Sequence, residues 1–206
     1  WQPDRENFIE REAFTLGALE LFKTPECPLV ALPYAYKNFH IVADCRIDNR
    51  EELAKELGVS DISKHSDIEF IARAYEKYGE QAPLKLEGDF AFVIWDEKQQ
   101  QVFAARDYFG VRTLFYSEVH GGLVFASEMK GILAYPNYKK EFNEAYIISQ
   151  FSALQISREE TFYKNISSLE AGHSLVYKDK TLSVKKYWQL GDRLVAVPNT
   201  VAEQEA

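Results

Sequence analysis

The hydrophobic pattern of this 206-residue chain predicts short strands and helices that alternate irregularly along the sequence. Apolar runs bounded by turn residues predict strands at residues 38–43, 89–96, 101–107, 113–119 and 123–128, and a last hairpin within 173–188. The connections between successive strands are too short to cross over a parallel sheet, so we expect antiparallel hairpins. Strand 89–96 is apolar at both alternating sets of positions, which is typical of a strand covered on both faces.

Helical periodicity is clearest at residues 66–79, where Ser66 and Glu69 match a capping box and Gly79 follows the last apolar position. Further helices are predicted at residues 49–58, 129–135 and 143–153, the last with Asn143 at its N-cap. Helices mixed with antiparallel strands predict an α+β fold. We expect one domain over residues 1–190, followed by a polar linker over residues 191–206.

Composition and charge argue against nucleic-acid and membrane partners for this chain. Hydrophobic residues make up 46% of the chain, with 14 Phe and 12 Tyr to fill a core. The formal charge of −8 argues against a nucleic-acid partner, because phosphate binding needs a basic surface. No apolar stretch approaches the roughly 20 residues that span a bilayer, and no secretion signal opens the chain, so we expect a cytoplasmic protein without a membrane partner.

The cysteines and histidines do not form a metal-binding pattern. Cys27 and Cys45 have neither CxxC spacing nor a disulfide framework, so we expect reduced thiols. The four histidines are widely scattered along the sequence. The sequence therefore predicts no metal site in this chain.

Four segments, in this order, resemble the amidotransferase half of the asparagine synthetase family. They are ADCRIDNREEL (43–53), HSDIEFIARAYEKYG (65–79), LEGDFAFVIWDEKQQQVFAARDYFGVRTLFY (86–116) followed by FASEMKGIL (125–133), and TFYKNISSLEAGHSLVYKDKTLSVKKYW (161–188). The resemblance implies the N-terminal-nucleophile fold, an αββα sandwich of two antiparallel sheets flanked by helices. Under that reading, we expect the first strands of the fold to be missing from this sequence.

The resemblance also implies a reaction in which an N-terminal cysteine attacks the side-chain amide of glutamine, activated by its own α-amino group. Residue 1 here is Trp1, so we expect no catalytic residue in this chain. The family's NGEIYN motif reads DCRIDN at residues 44–49, which puts Asp44 and Cys45 where the family has its oxyanion-stabilising Asn-Gly pair. A carboxylate accepts hydrogen bonds and would repel a developing oxyanion.

Asp67 matches the family's aspartate that receives the glutamine amino group, and it also occupies the first turn of a capped helix. Asp44, Cys45 and Asp67 are therefore predicted to form a vestigial substrate pocket, with glutamine as its candidate ligand. We do not expect Cys45 to be catalytic, because its nearest basic neighbour, His40, is an odd number of residues away. In a continuous strand their side chains point to opposite faces.

The DCRIDN sequence resembles relatives without glutaminase activity, such as β-lactam synthetases and lasso-peptide cyclases. The leading hypothesis is a non-catalytic amidotransferase-like domain of an ATP-dependent amide-forming enzyme. A functional glutaminase whose leading cysteine lies outside this sequence, and a stand-alone binding module, are the alternatives. We expect no cofactor here, with ATP and Mg²⁺ needed only by a C-terminal synthetase domain. That domain is the expected partner, docking near residues 127–130, and a homodimer is a further option.

Overall fold

Two antiparallel sheets face each other in this protein, and each is covered by helices on its outer side. The computed structural model describes residues 2–22, 25, 27–152 and 157–193. The strands are β1 (Arg5–Glu10), β2 (Thr15–Glu20), β3 (Tyr34–Tyr36), β4 (Phe39–Ile47), β5 (Gly88–Asp96), β6 (Gln101–Arg106), β7 (Phe115–Val119), β8 (Gly122–Ala126), β9 (Ser167–Ser168), β10 (His173–Lys178) and β11 (Thr181–Lys186). The α-helices are α1 (Arg50–Leu57), α2 (Asp67–Tyr78), α3 (Met129–Leu133) and α4 (Glu144–Phe151).

The larger sheet has six strands in the order β11-β10-β6-β5-β4-β3, and the smaller has three in the order β8-β7-β9. All pairings are antiparallel. A separate two-stranded ribbon, β1-β2, lies next to β4. Tight turns connect the hairpins: Asp179 and Lys180, both at positive φ, join β10 to β11, as the turn type of such hairpins requires.

The larger sheet buries apolar side chains on both of its faces, which gives the protein two hydrophobic layers. Phe90, Phe92 and Ile94 of β5 are buried against the α1–α2 side, whereas Ala91 and Val93 face the smaller sheet. Successive side chains along a strand point to opposite faces, so residues 90–95 of β5 are apolar on both faces. α3 packs on β7 and β8 and completes the outer layer of the smaller sheet.

Most predicted elements are confirmed, with boundaries shifted by a few residues. The capping box of Ser66 and Glu69 opens α2, and Gly79 follows its end at positive φ. Asn143 caps α4 by accepting the N–H of Tyr146 at 3.2 Å. The predicted helix 143–153 ends at Phe151 in the structure, and its predicted last residue lies outside the described residues.

The N-terminal region differs from the sequence prediction. No strand was predicted before residue 38, yet β1, β2 and β3 all lie there. Burial alternates strictly along β1, but the sequence does not show it, because the apolar Phe8 shares the exposed face with Glu6 and Glu10. Of the linker expected at 191–206, only residues 191–193 lie within the described residues, where they end a short 3₁₀ helix that begins at Leu190.

Candidate functional site

The end of β4 places Asp44 and Cys45 on opposite faces of the larger sheet. Asp44 pairs with Ala91 and Cys45 with Phe90 across the β4–β5 ladder. The Cys45 side chain therefore packs on the helical side, among the residues that contact α1 and α2. Asp44 points to the side of the smaller sheet and is exposed. One wall of a shared pocket cannot contain both side chains.

Cys45 is surrounded by groups that disfavour its thiolate. Burial raises the pKa of the Cys45 thiol well above its ordinary value, and the nearby carboxylates of Asp67 and Asp44 raise it further. His40 lies on the opposite face of β4, where its ring packs against Phe14 and its Nε2 lies 2.8 Å from a Glu97 oxygen. His40 is therefore not placed to activate the thiol, as the odd spacing predicted.

Asp44 contacts a cation that the sequence analysis did not include in the site. Nη1 of Arg112 lies 3.4 Å from Oδ2 of Asp44, and the pair is partly open to solvent. Arg112 belongs to the loop after β6, so the contact joins this loop to the end of β4. The negative charge at residue 44 is consequently balanced from within the chain.

Asp67 connects three elements. Its Oδ2 accepts the backbone N–H of Ile47 at 3.1 Å, and its Oδ1 lies 3.5 Å from Nη1 of Arg50. Nη2 of Arg50 in turn donates to the carbonyls of Ile62, at 2.9 Å, and His65. The start of α2 is thereby fastened to the end of β4 and the start of α1. An ammonium group arriving at Asp67 would compete with these partners.

The loop that carries Arg112 is fixed by the Arg106–Asp107 pair. Asp107, only 1% exposed, accepts the backbone N–H groups of Phe109, Val111 and Arg112 at 3.0, 2.9 and 3.0 Å. Arg106 donates to the carbonyls of Arg112 at 2.5 Å and Gly110 at 2.7 Å. These contacts give the Arg106–Asp107 pair a structural role.

Gly110 is required in this loop. Its φ is +68°, and a Cβ built there would lie 3.1 Å from the Ala171 side chain and 3.2 Å from the Arg106 guanidinium. Any larger residue would therefore meet both backbone strain and crowding. The loop has one closely packed conformation.

A separate open cleft of about 250 Å³ lies next to Ser168, whose hydroxyl accepts a hydrogen bond from Nη1 of Arg106. Its polar lining consists of Tyr116, Glu159, Ser168, Glu170, His173 and Lys186. None of the predicted pocket residues lines it. Within the described ranges, no group of three or more His, Cys, Asp or Glu side chains is placed to hold a metal ion.

Comparisons with known proteins identify the family. The sequence profile described as a glutamine amidotransferase domain matches residues 3–188. The chain belongs to the glutamine amidotransferase domain family. It is 32% identical over 165 residues to asparagine synthetase [glutamine-hydrolyzing] 3 of Bacillus subtilis, covering 78% of this chain and 27% of that protein. It is 34% identical over 162 residues to asparagine synthetase [glutamine-hydrolyzing] 2 of the same organism, covering 75% and 22%.

The amidotransferase domain thus spans about a quarter of the length of these relatives. A further relative, amidase chyE of Penicillium rubens, is 32% identical over 142 residues, covering 68% of this chain and 20% of that protein. Among solved structures, the glutamine phosphoribosylpyrophosphate amidotransferase of B. subtilis matches with a TM-score of 0.56 at 18% identity, covering 84% of this chain and 35% of that one. This structural likeness confirms the N-terminal-nucleophile fold.

In this amidotransferase domain, sequence reasoning missed two arginines of the site. Arg46 occupies the third position of the DCRIDN segment, where the family motif has a glutamate. Its guanidinium pairs with Asp48 at 2.9 Å and with Asp89 at 3.4 Å. The charge reversal at position 46 was readable from the motif. Arg112 was not, because it lies 68 residues from Asp44 and only the fold brings them together.

No helix in the described part of the domain is long and apolar enough to cross a membrane.

Proposed function

We propose that this amidotransferase domain does not hydrolyse glutamine and instead serves as a supporting domain of a cytoplasmic, ATP-dependent amide-forming enzyme. One observation carries the proposal: the position of the oxyanion donors is occupied by a carboxylate, Asp44, that is itself paired with Arg112 at 3.4 Å. Oxyanion stabilisation requires hydrogen-bond donors that are preorganised toward the developing charge, and an ionised carboxylate can only accept hydrogen bonds.

The neighbouring groups support the same reading. The residue before Cys45 carries a negative charge, and desolvation raises the pKa of the Cys45 thiol above its ordinary value. The carboxylate of Asp67 is already engaged by Ile47 and Arg50. Glutamine would have to displace these contacts before its amino group could bind. In our proposal Cys45 and Asp67, both on the helical side of the larger sheet, are what remains of a substrate pocket, and Asp44 lies on the opposite face of β4.

The relatives' greater length supports a partner domain. In our proposal residues 1–190 form the amidotransferase-like domain, residues 191–206 lead to a synthetase domain, and ATP with Mg²⁺ acts only in that domain. Near the expected docking segment, Lys130 and Glu128 form a surface pair at 2.5 Å with side chains 80% and 63% exposed. Both are thus accessible to a partner. Reversing both charges in a chain that includes the synthetase part should weaken domain association and amide synthesis.

The double variant Asp44→Asn with Cys45→Gly tests the assignment of the pocket. It rebuilds the donor pair of the family motif but adds no nucleophile. Losing one oxyanion donor costs about 10²–10³ in rate, whereas the covalent pathway requires a thiolate nucleophile, which this variant does not add. We expect no ammonia release from L-glutamine by this variant. Measurable release would show that a nucleophile lies elsewhere in the chain and would refute the proposal.

A second candidate function is glutaminase activity with a cysteine supplied by sequence ahead of Trp1. The relatives' names favour it, since two are called glutamine-hydrolyzing at 32% and 34% identity. The Arg112 guanidinium also offsets the charge of Asp44. Sequencing the gene upstream of Trp1 separates the two candidates: a Met-Cys start followed by ammonia release would favour the glutaminase.

A further inference from the structure

The open cleft beside Ser168 lies between the margins of the two sheets. β11 is the last strand of the larger sheet, and the two-residue strand β9 is the last strand of the smaller sheet. Leu175 and Tyr177 of β10 pack into the layer between the sheets, so His173, which precedes Leu175 by two residues, points to the same side. Lys186 is the direct partner of His173 across the β10–β11 ladder and shares that side. We call this space the inter-sheet cleft.

The layer between the sheets changes from apolar to polar at this margin. Its buried part contains Leu169 and Leu175, which are 1% and 0% exposed. At the margin the inner positions of β10 and β11 are occupied by His173 and Lys186, and Ser168 lines the same space from the smaller sheet. Two packed sheets normally fill such positions with interdigitated apolar side chains. The polar side chains instead border an open space of about 250 Å³.

Three hydrogen-bond acceptors line the inter-sheet cleft. The phenol of Tyr116, only 5% exposed, donates to Oε1 of Glu159 at 2.9 Å and thereby orients this carboxylate. The carboxylate of the half-buried Glu170 makes no hydrogen bond or ion pair with any residue that the structure describes. Nδ1 of His173 lies 2.9 Å from the carbonyl oxygen of Ala171, and because a carbonyl only accepts, Nε2 of the neutral ring remains an acceptor. Three acceptors match the three N–H groups of an ammonium ion.

A cation and an apolar side chain complete the lining. Nζ of Lys186 lies 3.5 Å from Oε1 of Gln189, and an ammonium has three donors, so it can also bind an anion. Val184 lies two residues before Lys186 on the same side of β11 and is 41% exposed. The volume is below the roughly 300–1,000 Å³ of pockets for drug-sized ligands. The inter-sheet cleft therefore suits a small molecule that carries both charges.

The combination of charges narrows the class of ligand. A phosphate group would be repelled by two carboxylates, Glu159 and Glu170. A metal ion would lack a ligand set, since the described residues provide no group of three His, Cys, Asp or Glu side chains placed to hold one. A simple amine would leave Lys186 without an anionic partner. An α-amino acid carries an ammonium and a carboxylate group at neutral pH, and it matches both charges of the lining.

We propose that the inter-sheet cleft binds a free α-amino acid with a small apolar side chain. Glu159, Glu170 and Nε2 of His173 accept hydrogen bonds from the ammonium group. Lys186 binds the carboxylate, and the side chain of the amino acid contacts Val184.

This site is distinct from the remnant pocket at Cys45 and Asp67. Cys45 packs on the helical side of the larger sheet, whereas the inter-sheet cleft opens on the side of the smaller sheet. Binding of an amino acid here does not depend on whether the domain hydrolyses glutamine.

Titration of the purified chain with L-alanine, followed by ¹H–¹⁵N correlation spectra, tests the site without involving a side-chain amide. We expect saturable shifts at the amides of Ser168, Glu170 and His173, with a Kd on the order of 1 mM. Ethylamine lacks the carboxylate of alanine and propionate lacks its ammonium group, so each should bind at least roughly tenfold more weakly. The absence of saturable shifts up to about 50 mM, or ethylamine binding as tightly as L-alanine, overturns the proposal.

Substitutions in the lining show which groups hold the ligand. Glu170→Gln and Lys186→Met should each raise the Kd for L-alanine roughly tenfold, because each removes a charged partner. Lys185→Met is the matched control for the lysine, since Lys185 points to the other face of β11, where its Nζ lies 3.6 Å from a Glu80 oxygen. Glu160→Gln is the control for the glutamate, because Glu160 is exposed and lies outside the lining.

Thermal unfolding checks that all four variants are folded. Both controls should bind L-alanine as the unmodified chain does. If the cleft variants bind it equally tightly, or if the controls weaken binding as much as the cleft variants, the amino acid is not held by these groups and the proposal is wrong.

Discussion

Replacing Asp107 by alanine should destabilise the domain more than any surface charge does. The buried carboxylate accepts three backbone N–H groups, each at about 3 Å. A hydrogen bond to a charged group contributes about 1.5–3 kcal/mol, but in the variant the more exposed part of the loop regains water. We therefore expect a loss of about 3–4 kcal/mol in the free energy of unfolding, against a total of roughly 5–15 kcal/mol for a domain.

Urea unfolding followed by fluorescence measures this loss, and thermal unfolding should show a decrease in Tm of about 10 °C for a chain of this length. Asp48→Ala is the matched control, because Asp48 is a half-exposed partner of Arg46 and should cost at most about 1 kcal/mol. Hydrogen exchange should show faster exchange at the amides of Phe109, Val111 and Arg112. A loss below about 1 kcal/mol with unchanged exchange would refute the account of the loop.

Three further outcomes can be checked on the same protein. In a Cys27→Ser background, the Cys45 thiol should react with a thiol reagent at least roughly tenfold more slowly in the folded than in the unfolded chain, because its pKa is raised; equal rates would contradict the raised pKa. Asp67→Ala should lower stability by about 2 kcal/mol in urea unfolding, since it leaves the Ile47 N–H without its acceptor; no loss would mean that this hydrogen bond does not stabilise the fold. Burial raises the pKa of Tyr75 to about 12, so above pH 10 the unfolded chain loses a proton that the folded chain keeps, and stability falls as the pH rises toward 12. Tyr75→Phe should reduce that slope by up to about 1.4 kcal/mol per pH unit, and an identical slope in both proteins would show that Tyr75 titrates normally.

The parts of the fold that the sequence predicted are those whose signals are local. Helix α2 has both its capping box and its terminal glycine within its own segment, and β5 with β6 form one apolar hairpin. The β1–β2 ribbon gave no such signal. It is held by a partly buried pair, Arg5 with Glu20, whose partners are 15 residues apart, and Arg5 also donates to the carbonyl of Cys27.

Only those site residues that lie in a recognisable sequence motif could be predicted from the sequence. The DCRIDN segment indicated Asp44 and Cys45, but their opposite orientations depend on β4 continuing to Ile47. The pairing of Asp44 with Arg112 depends on the loop conformation set by Asp107, which no local pattern encodes. A carboxylate at the oxyanion position was therefore readable from the sequence, whereas its neutralisation was not.

Ammonia release from L-glutamine by the purified chain, measured in a coupled assay beside the Cys45→Ser variant, tests the central claim most directly. The account predicts that both proteins give the rate of a protein-free blank, because Asp44 is paired with Arg112 and the raised pKa of the Cys45 thiol disfavours its thiolate. Saturable ammonia release by the unmodified chain that disappears in Cys45→Ser would contradict it, and would make Cys45 a nucleophile.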